Sequence, residues 1–236
     1  MTDDADPGIR LAKRVAVLAG CSRREAELLI ENGAVRVDGQ PALLPQTRVH
    51  PHQAVVVEAG ARAEPVAAVT LLLHKPAGTP TENAHRLLVA ASHHEPERAG
   101  LRFLLHHVKA QRCMTPLETG ASGLVVFTQE WRIERKLQED AGVMESEIMV
   151  DIAGPVGPDV LSRLDRPPAR VSIGQQAEGH TGLRFALKGA RPGQIAHICD
   201  DAGLQILAMK RIRIGRVPLA GLLPSQWRYL LPNERF

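Results

Sequence analysis

Aromatic side chains are scarce in this 236-residue chain: four Phe, two Trp and one Tyr, 3% of the residues. A core here has to be built mainly from Leu, Val, Ile and Ala, and a stacking surface has to rely on very few rings. Cysteine is also thin. Cys21, Cys113 and Cys199 are an odd number, far apart, with no C-x-x-C pair, which argues against a disulfide framework and against a zinc ribbon. No uninterrupted apolar run approaches membrane-spanning length, and the acidic start, with Asp3, Asp4 and Asp6, lacks a basic-then-apolar leader pattern. These absences predict a soluble, cytoplasmic protein without membrane association, expected to be a monomer.

What is present is an apolar content of 44%, enough for a small module followed by a larger domain. The formal net charge is only +3, but it is unevenly laid out. Lys13, Arg14, Arg23 and Arg24 form one basic cluster, and Lys210, Arg211, Arg213 and Arg216 form another. Such patches suit a polyanionic partner better than the total charge suggests. For either cluster taken alone, a solvated charged face is the favoured reading.

Near the start, Ile9 to Leu18 has the spacing of a short basic amphipathic helix, with Gly20 placed to cap it. Ser22-Arg23-Arg24-Glu25 has the form of a capping box, so a second helix begins there, with Ala26, Leu29 and Ile30 as its buried stripe. Val35-Arg36-Val37 then alternates like a strand before an Asp38-Gly39 turn, and Val55-Val56-Val57 is a further strand. The stretch "CSRREAELLIENGAVRVDGQ" within residues 9–58 resembles the small RNA-binding domain named after ribosomal protein S-four. In that family the helix pair faces RNA. The resemblance therefore implies Lys13, Arg14, Arg23 and Arg24 as phosphate contacts, where arginine charge at a helix start joins free backbone donors.

Residues 59–68, "AGARAEPVAA", are small, polar and without periodicity, and are expected to be a linker; residues 69–236 form the second domain. Val69 to His74 is a strand candidate ending in the Lys75-Pro76-Ala77-Gly78 turn. Between Asn83 and Arg112 the pattern weakens. His93-His94 and His106-His107 there are expected at an exposed surface, as are His50 and His52, because adjacent histidines diverge on a helix or strand and make no natural chelate; no metal site is assigned. Trp131 to Glu139 and Gly193 to Ala202 suit helices; Glu147 to Ile152 and Arg184 to Leu187 suit strands, and Leu204 to Met209 alternates into the basic run "KRIRIGRV". The mixture predicts an α+β fold, a small helical and hairpin module plus a larger domain with a mainly antiparallel sheet.

Residues 116–128, "PLETGASGLVVFT", join an acid-bearing turn to a small-residue step and a buried strand. With "LLLHKPAG" at 71–78, "QIAHICDDAGLQILAMKRIRIG" at 194–215 and "LAGLLPSQWRYL" at 219–230, they resemble the catalytic domain of the RsuA/RluB/RluE/RluF group of RNA pseudouridine synthases, RluF-type members in particular. The motifs fall in family order over nearly the whole chain. The resemblance implies chemistry that detaches uracil from ribose and rejoins it through a ring carbon, without cofactor or metal, on ribosomal RNA or else transfer RNA. That task needs a carboxylate at the flipped nucleotide, an apolar or aromatic shelf for the base, and a cation that aims the carboxylate.

Alignment on Ser122-Gly123-Leu124 puts Pro116-Leu117-Glu118 where the family has arginine, leucine and aspartate, so Glu118 is the candidate catalytic acid, one methylene longer. Gly120 falls where a second acid is common, Glu147 at the position expected for a tyrosine, and Gly193 where a basic residue is expected before Gln194, which removes the nearest counter-ion; Arg191 is the next basic residue, though its side chain need not point inward. A glutamate at 147 would place a second negative charge near Glu118. Arg163-Leu164-Asp165 spells the family triplet but lacks its context, and Asp165 is read as a loop acid. Lys75, Lys210, Arg211 and Arg213 are candidate RNA contacts, the last three on the charged side of a strand whose isoleucines pack inward. Trp227-Arg228-Tyr229 suits the edge of a core better than a stacking site. Two readings stay open: a working synthase, and a former synthase that binds RNA in ribosome assembly or RNA folding.

Overall fold

A computed structural model describes residues 7–94 and 101–236. The chain divides into two compact units, Met1–Ala68 with Arg102–Ala110, and Val69–Leu101 with Gln111–Phe236.

In the first unit, β1 (Ile9–Arg10) pairs with β4 (Arg48–Val49), α1 (Leu11–Ala19) packs on α2 (Arg23–Glu31), and β2 (Val35–Val37) lies between β3 (Gln40–Pro41) and β5 (Val55–Val57). The first helix starts two residues later than its apolar spacing predicts because Ile9 and Arg10 are taken by the pairing with Val49 and Arg48. It closes at Gly20, whose φ of 61° turns its N–H onto the Ala16 carbonyl. The capping box is complete: Ser22 N–H donates to Glu25 Oε2 at 2.8 Å and Glu25 N–H to Ser22 Oγ at 3.2 Å. Asp38 and Gly39, with φ of 50° and 79°, make the two-residue turn between β2 and β3. Leu11, Val15, Ala26, Leu29, Ile30, Val35 and Val49 form the core.

Two segments depart from the sequence reading. Residues 59–68 are not a free tether: Ala61 and Ala63 pack on this core, and Asn32 Nδ2 donates to the Glu64 carbonyl at 2.6 Å. Arg102–Ala110 also belongs to this unit, with Leu104 lying over Gly33 and His107 buried, so His107 is not the surface residue expected.

The second unit is one nine-stranded sheet. Its strands are β6 (Thr70–Lys75), β7 (Arg112–Cys113), β8 (Ser122–Thr128), β9 (Glu145–Ala153), β10 (Ala169–Ala177), β11 (His180–Lys188), β12 (Ile206–Ile214), β13 (Val217–Pro218) and β14 (Trp227–Tyr229). The main order is β10-β11-β9-β12-β8-β6-β14, with β13 on β12 and β7 on β8. Every pairing is antiparallel except β12 with β8. Helices α3 (Trp131–Glu139), α4 (Pro158–Leu164) and α5 (Gln194–Asp201) complete it. The mixed, mainly antiparallel architecture is the one the sequence predicts.

The central strands β6 and β8 are buried along nearly their whole length. On one side Leu72, Leu124 and Val126 pack with Leu137 of α3 and with Ile214, Val217, Leu219 and Leu222. At the β14 edge, Trp227 and Tyr229 are fully buried. His93 stacks on Trp227 with ring centroids 4.2 Å apart, and His94 N–H donates to the Trp227 carbonyl at 2.8 Å, covering an edge that would otherwise expose ladder groups. His93 is thus part of the packing rather than an exposed loop residue. Among the described residues no three His, Cys, Asp or Glu are gathered as a metal ligand set. No described helix is long and apolar enough to cross a membrane.

Candidate active site

The turn that carries Glu118 is held at every backbone carbonyl from Thr115 to Thr119. Arg211 reaches it from β12: Nη2 donates to the Thr115 carbonyl, Nη1 to that of Pro116 at 3.3 Å, and Nε to that of Leu124 at 2.8 Å. Thr81 Oγ1 donates to the Leu117 carbonyl at 2.6 Å and accepts the Leu117 N–H at 3.1 Å. The Glu118 carbonyl accepts from Ala121 N–H at 3.1 Å, closing the turn. On the far flank, the Thr119 carbonyl accepts from Gly78 N–H at 2.8 Å and from Lys75 Nζ at 3.4 Å, while Lys75 also donates to the Pro76 and Thr79 carbonyls at 3.1 and 2.8 Å.

Gly123 makes this approach possible. Its φ is 116°, and a Cβ there would lie 2.3 Å from the Arg211 carbonyl oxygen, so only glycine lets β8 begin against β12.

The Glu118 carboxylate faces a small cavity of about 20 Å³, room for roughly one water, lined also by Leu117, Ala121, Ile148, Arg191, Ile195, Met209 and Arg211. An adjoining cavity of about 140 Å³ shares Pro116, Ala190, Arg191, Pro192 and Arg211. Glu118 Oε1 accepts the Gly193 N–H at 3.3 Å. Gly193 caps α5 with a φ of 81°, and the start of that helix presents its positive end to the carboxylate. Lys75 and Arg211 are both buried, and among the described residues neither is in an ion pair; their side-chain donors go to backbone carbonyls. Burial pushes the Lys75 ammonium below its ordinary value, with the Glu118 charge pulling it back up and Arg211 pushing it further down. Burial likewise brings Arg211 down to about 10, opposed by Cys113 and Glu118.

Several sequence-derived assignments are corrected by this geometry. Lys75 and Arg211 are not RNA-facing, because both are buried and hold loop carbonyls. Arg213 is committed to Glu145 and Glu147, each at 2.6 Å. Glu147 does not approach Glu118. It points to the opposite face of β9, where Arg184 also pairs with it at 2.5 Å; Arg213 first and then Arg184 hold its carboxyl below the usual carboxylate value, against burial, which raises it. Ile148, the next residue, lines the cavity instead; the inward alternation of Ile148, Val150 and Ile152 is the sequence signal for that register. At the position expected for a cation Gly193 offers only its backbone N–H, and Arg191, two residues earlier, lines both cavities. Pro116 lends its carbonyl to Arg211, and Gly120 lies exposed with open space around it. Asp165 is a local acid whose Oδ1 accepts the Val171 N–H at 3.0 Å. Lys210 is exposed on β12, as are Lys13, Arg23 and Arg24 on the first unit, with Arg14 half-buried.

Known proteins match both units. A family model described as S4 domain matches residues 9–55. An uncharacterized RNA pseudouridine synthase of Mycobacterium bovis is 30% identical over 96% of this chain and 91% of its own length. The dual-specificity RNA pseudouridine synthase RluF of Escherichia coli is 25% identical over 97% of this chain and 78% of its own. A crystal structure of a pseudouridylate synthase superposes with a TM-score of 0.55 at 18% identity, covering 94% of this chain and 96% of that one, which shows a shared fold. Identity at this level over nearly both full lengths, on that fold, places the chain in the RNA pseudouridine synthase family.

Proposed function

We propose that the chain converts uridine to pseudouridine in a structured RNA, ribosomal RNA before transfer RNA, in the cytoplasm, with Glu118 as the acid at the reacting nucleotide. The observation that carries this reading is the pinned Glu118 turn, whose carboxylate accepts the Gly193 N–H in a cavity it shares with Arg191 and Arg211. In the isomerisation the bond from ribose to the ring nitrogen breaks, a bond from ribose to a ring carbon forms, and no atom is lost. It requires a carboxylate at the sugar, a flipped base and exclusion of bulk water. Glu118 supplies the first. Ile148, Met209 and Ile195 offer an apolar shelf for the base, with no hydroxyl to move a proton. The present cavity holds about one water, so its lining, which includes the exposed Arg191, has to open to admit the base.

A second reading, a binding protein acting in ribosome assembly or RNA folding, is favoured by one observation, the missing hydroxyl at Ile148. One experiment separates the two. Purified protein is incubated with unmodified ribosomal and transfer RNA, pseudouridine is mapped, and the same positions are mapped in cells with and without the gene. The synthase reading expects new pseudouridine with wild type and a loss of at least about a hundredfold in rate for Glu118→Gln. Turnover that persists undiminished in Glu118→Ala removes Glu118 from the mechanism. Tight RNA binding with no pseudouridine in either setting supports the binding protein.

A further inference from the structure

We infer that Arg211 is a positioning residue for Glu118, acting through the backbone of the turn and through its charge rather than by contact with RNA. This rests on the synthase reading for its consequence in turnover, and on geometry alone for its effect on the turn.

Arg211 sits on β12, and its register partner across the parallel pairing is Gly123, which follows Glu118 by five residues. Its planar fork spans two flanks of the turn at once: Nη2 and Nη1 hold the Thr115 and Pro116 carbonyls before Glu118, and Nε holds the Leu124 carbonyl after it. A lysine's single point of charge cannot span these three acceptors. The residue is 6% exposed and forms no ion pair among the described residues. Burying a guanidinium without a carboxylate partner is costly, and here the donors that offset the cost go to backbone carbonyls on and beside the Glu118 turn. Its location gives the reason. It lines the Glu118 cavity, and the close approach of Gly123 to its backbone fixes the strand position from which it reaches the turn. Lys75 braces the other flank at the Thr119 carbonyl, so the turn that carries the acid is held by a buried cation on each side.

The test compares Arg211→Lys and Arg211→Met with wild type in the full chain, by thermal denaturation, by kcat and KM on unmodified ribosomal RNA, and by amide hydrogen exchange at Ala121, whose N–H closes the Glu118 turn. Positioning predicts a kcat loss of about a hundredfold for Arg211→Met at a temperature where it is folded, KM within about twofold, and partial recovery in Arg211→Lys through the retained charge. A role confined to the fold predicts that activity follows stability across the two variants, and that result overturns the proposal. Should Arg211→Met not fold, Arg211→Lys decides: a kcat loss at wild-type melting temperature supports positioning, and wild-type kcat overturns it. If wild type itself makes no pseudouridine, the synthase reading fails while exchange still decides the bracing. Exchange at Ala121 about tenfold faster in Arg211→Met than in wild type, and intermediate in Arg211→Lys, supports it; unchanged exchange overturns it.

Discussion

Glu147 and Ile148 are neighbours on β9 with opposite fates. Ile148 enters the cavity of Glu118, whereas Glu147 crosses to the other face and joins Arg213 and Arg184. That ion pair has a pH signature. The folded-state value of Glu147 lies below its ordinary 4.5, mainly through Arg213, so its contribution to stability is present above about pH 4.5 and is lost as pH falls through the depressed value. Glu147→Gln is therefore expected to lower stability at pH 7 by about 1–2 kcal/mol, with the gap between variant and wild type closing in acid. Urea denaturation of both proteins at pH 7 and at pH 3 measures it. A gap of equal size at both values would mean that shape, and not charge, accounts for the effect.

At the scale of elements, the parallel contact between β8 and β12 is what brings the acid turn and its buried arginine together. Gly123 is the residue that permits it, both by its φ of 116° and because a Cβ would lie 2.3 and 2.5 Å from the Arg211 carbonyl oxygen and nitrogen. Gly123→Ala should cost about 3 kcal/mol or more in denaturant unfolding, since backbone on the partner strand cannot yield as a side-chain tip can. A variant of wild-type stability would show that the strands separate easily there, and with them the hold on Glu118. The same elements show what a sequence discloses. The capping box of α2, the Asp38-Gly39 turn and the helix at Trp131 to Glu139 were legible, because their signals lie within a few residues. The β10 strand was not: it is an edge strand buried only at Ala169 and Val171, so it has no apolar alternation to read. Nor was the burial of Lys75 and Arg211. Their partners are carbonyls up to 96 positions away, and a backbone acceptor leaves no mark in residue type. Glu118 could be placed from its turn and motif, but the register that sends Ile148 inward hung on a single residue step, the smallest error that reverses a strand's faces.

For the whole molecule, the buried cations of the second unit are spent within it, Lys75 and Arg211 on backbone carbonyls and Arg228 on Glu234, which leaves long-range attraction of a polyanion to exposed charge elsewhere. Arg23 and Arg24 stand at the start of α2, fixed by the Ser22 cap, and among the described residues pair with Glu27 at 3.5 and 3.6 Å through side chains about two-thirds exposed. Such surface pairs hold weakly and exchange readily for phosphate. If these arginines anchor RNA while Glu118 performs chemistry, the two functions separate by experiment. Arg23→Gln with Arg24→Gln should weaken binding of ribosomal RNA and reduce the slope of log affinity against log salt by about 1.5, the amount expected for two released phosphate contacts. The rate at saturating RNA should stay within about twofold, because neither side chain lies in the unit that carries Glu118. An unchanged slope would make this cluster a solvated face and shift the search for the anchor to Lys13, Arg14 and Lys210. A fall in the saturated rate with an unchanged slope would instead mean that the first unit acts on the chemistry and not on capture.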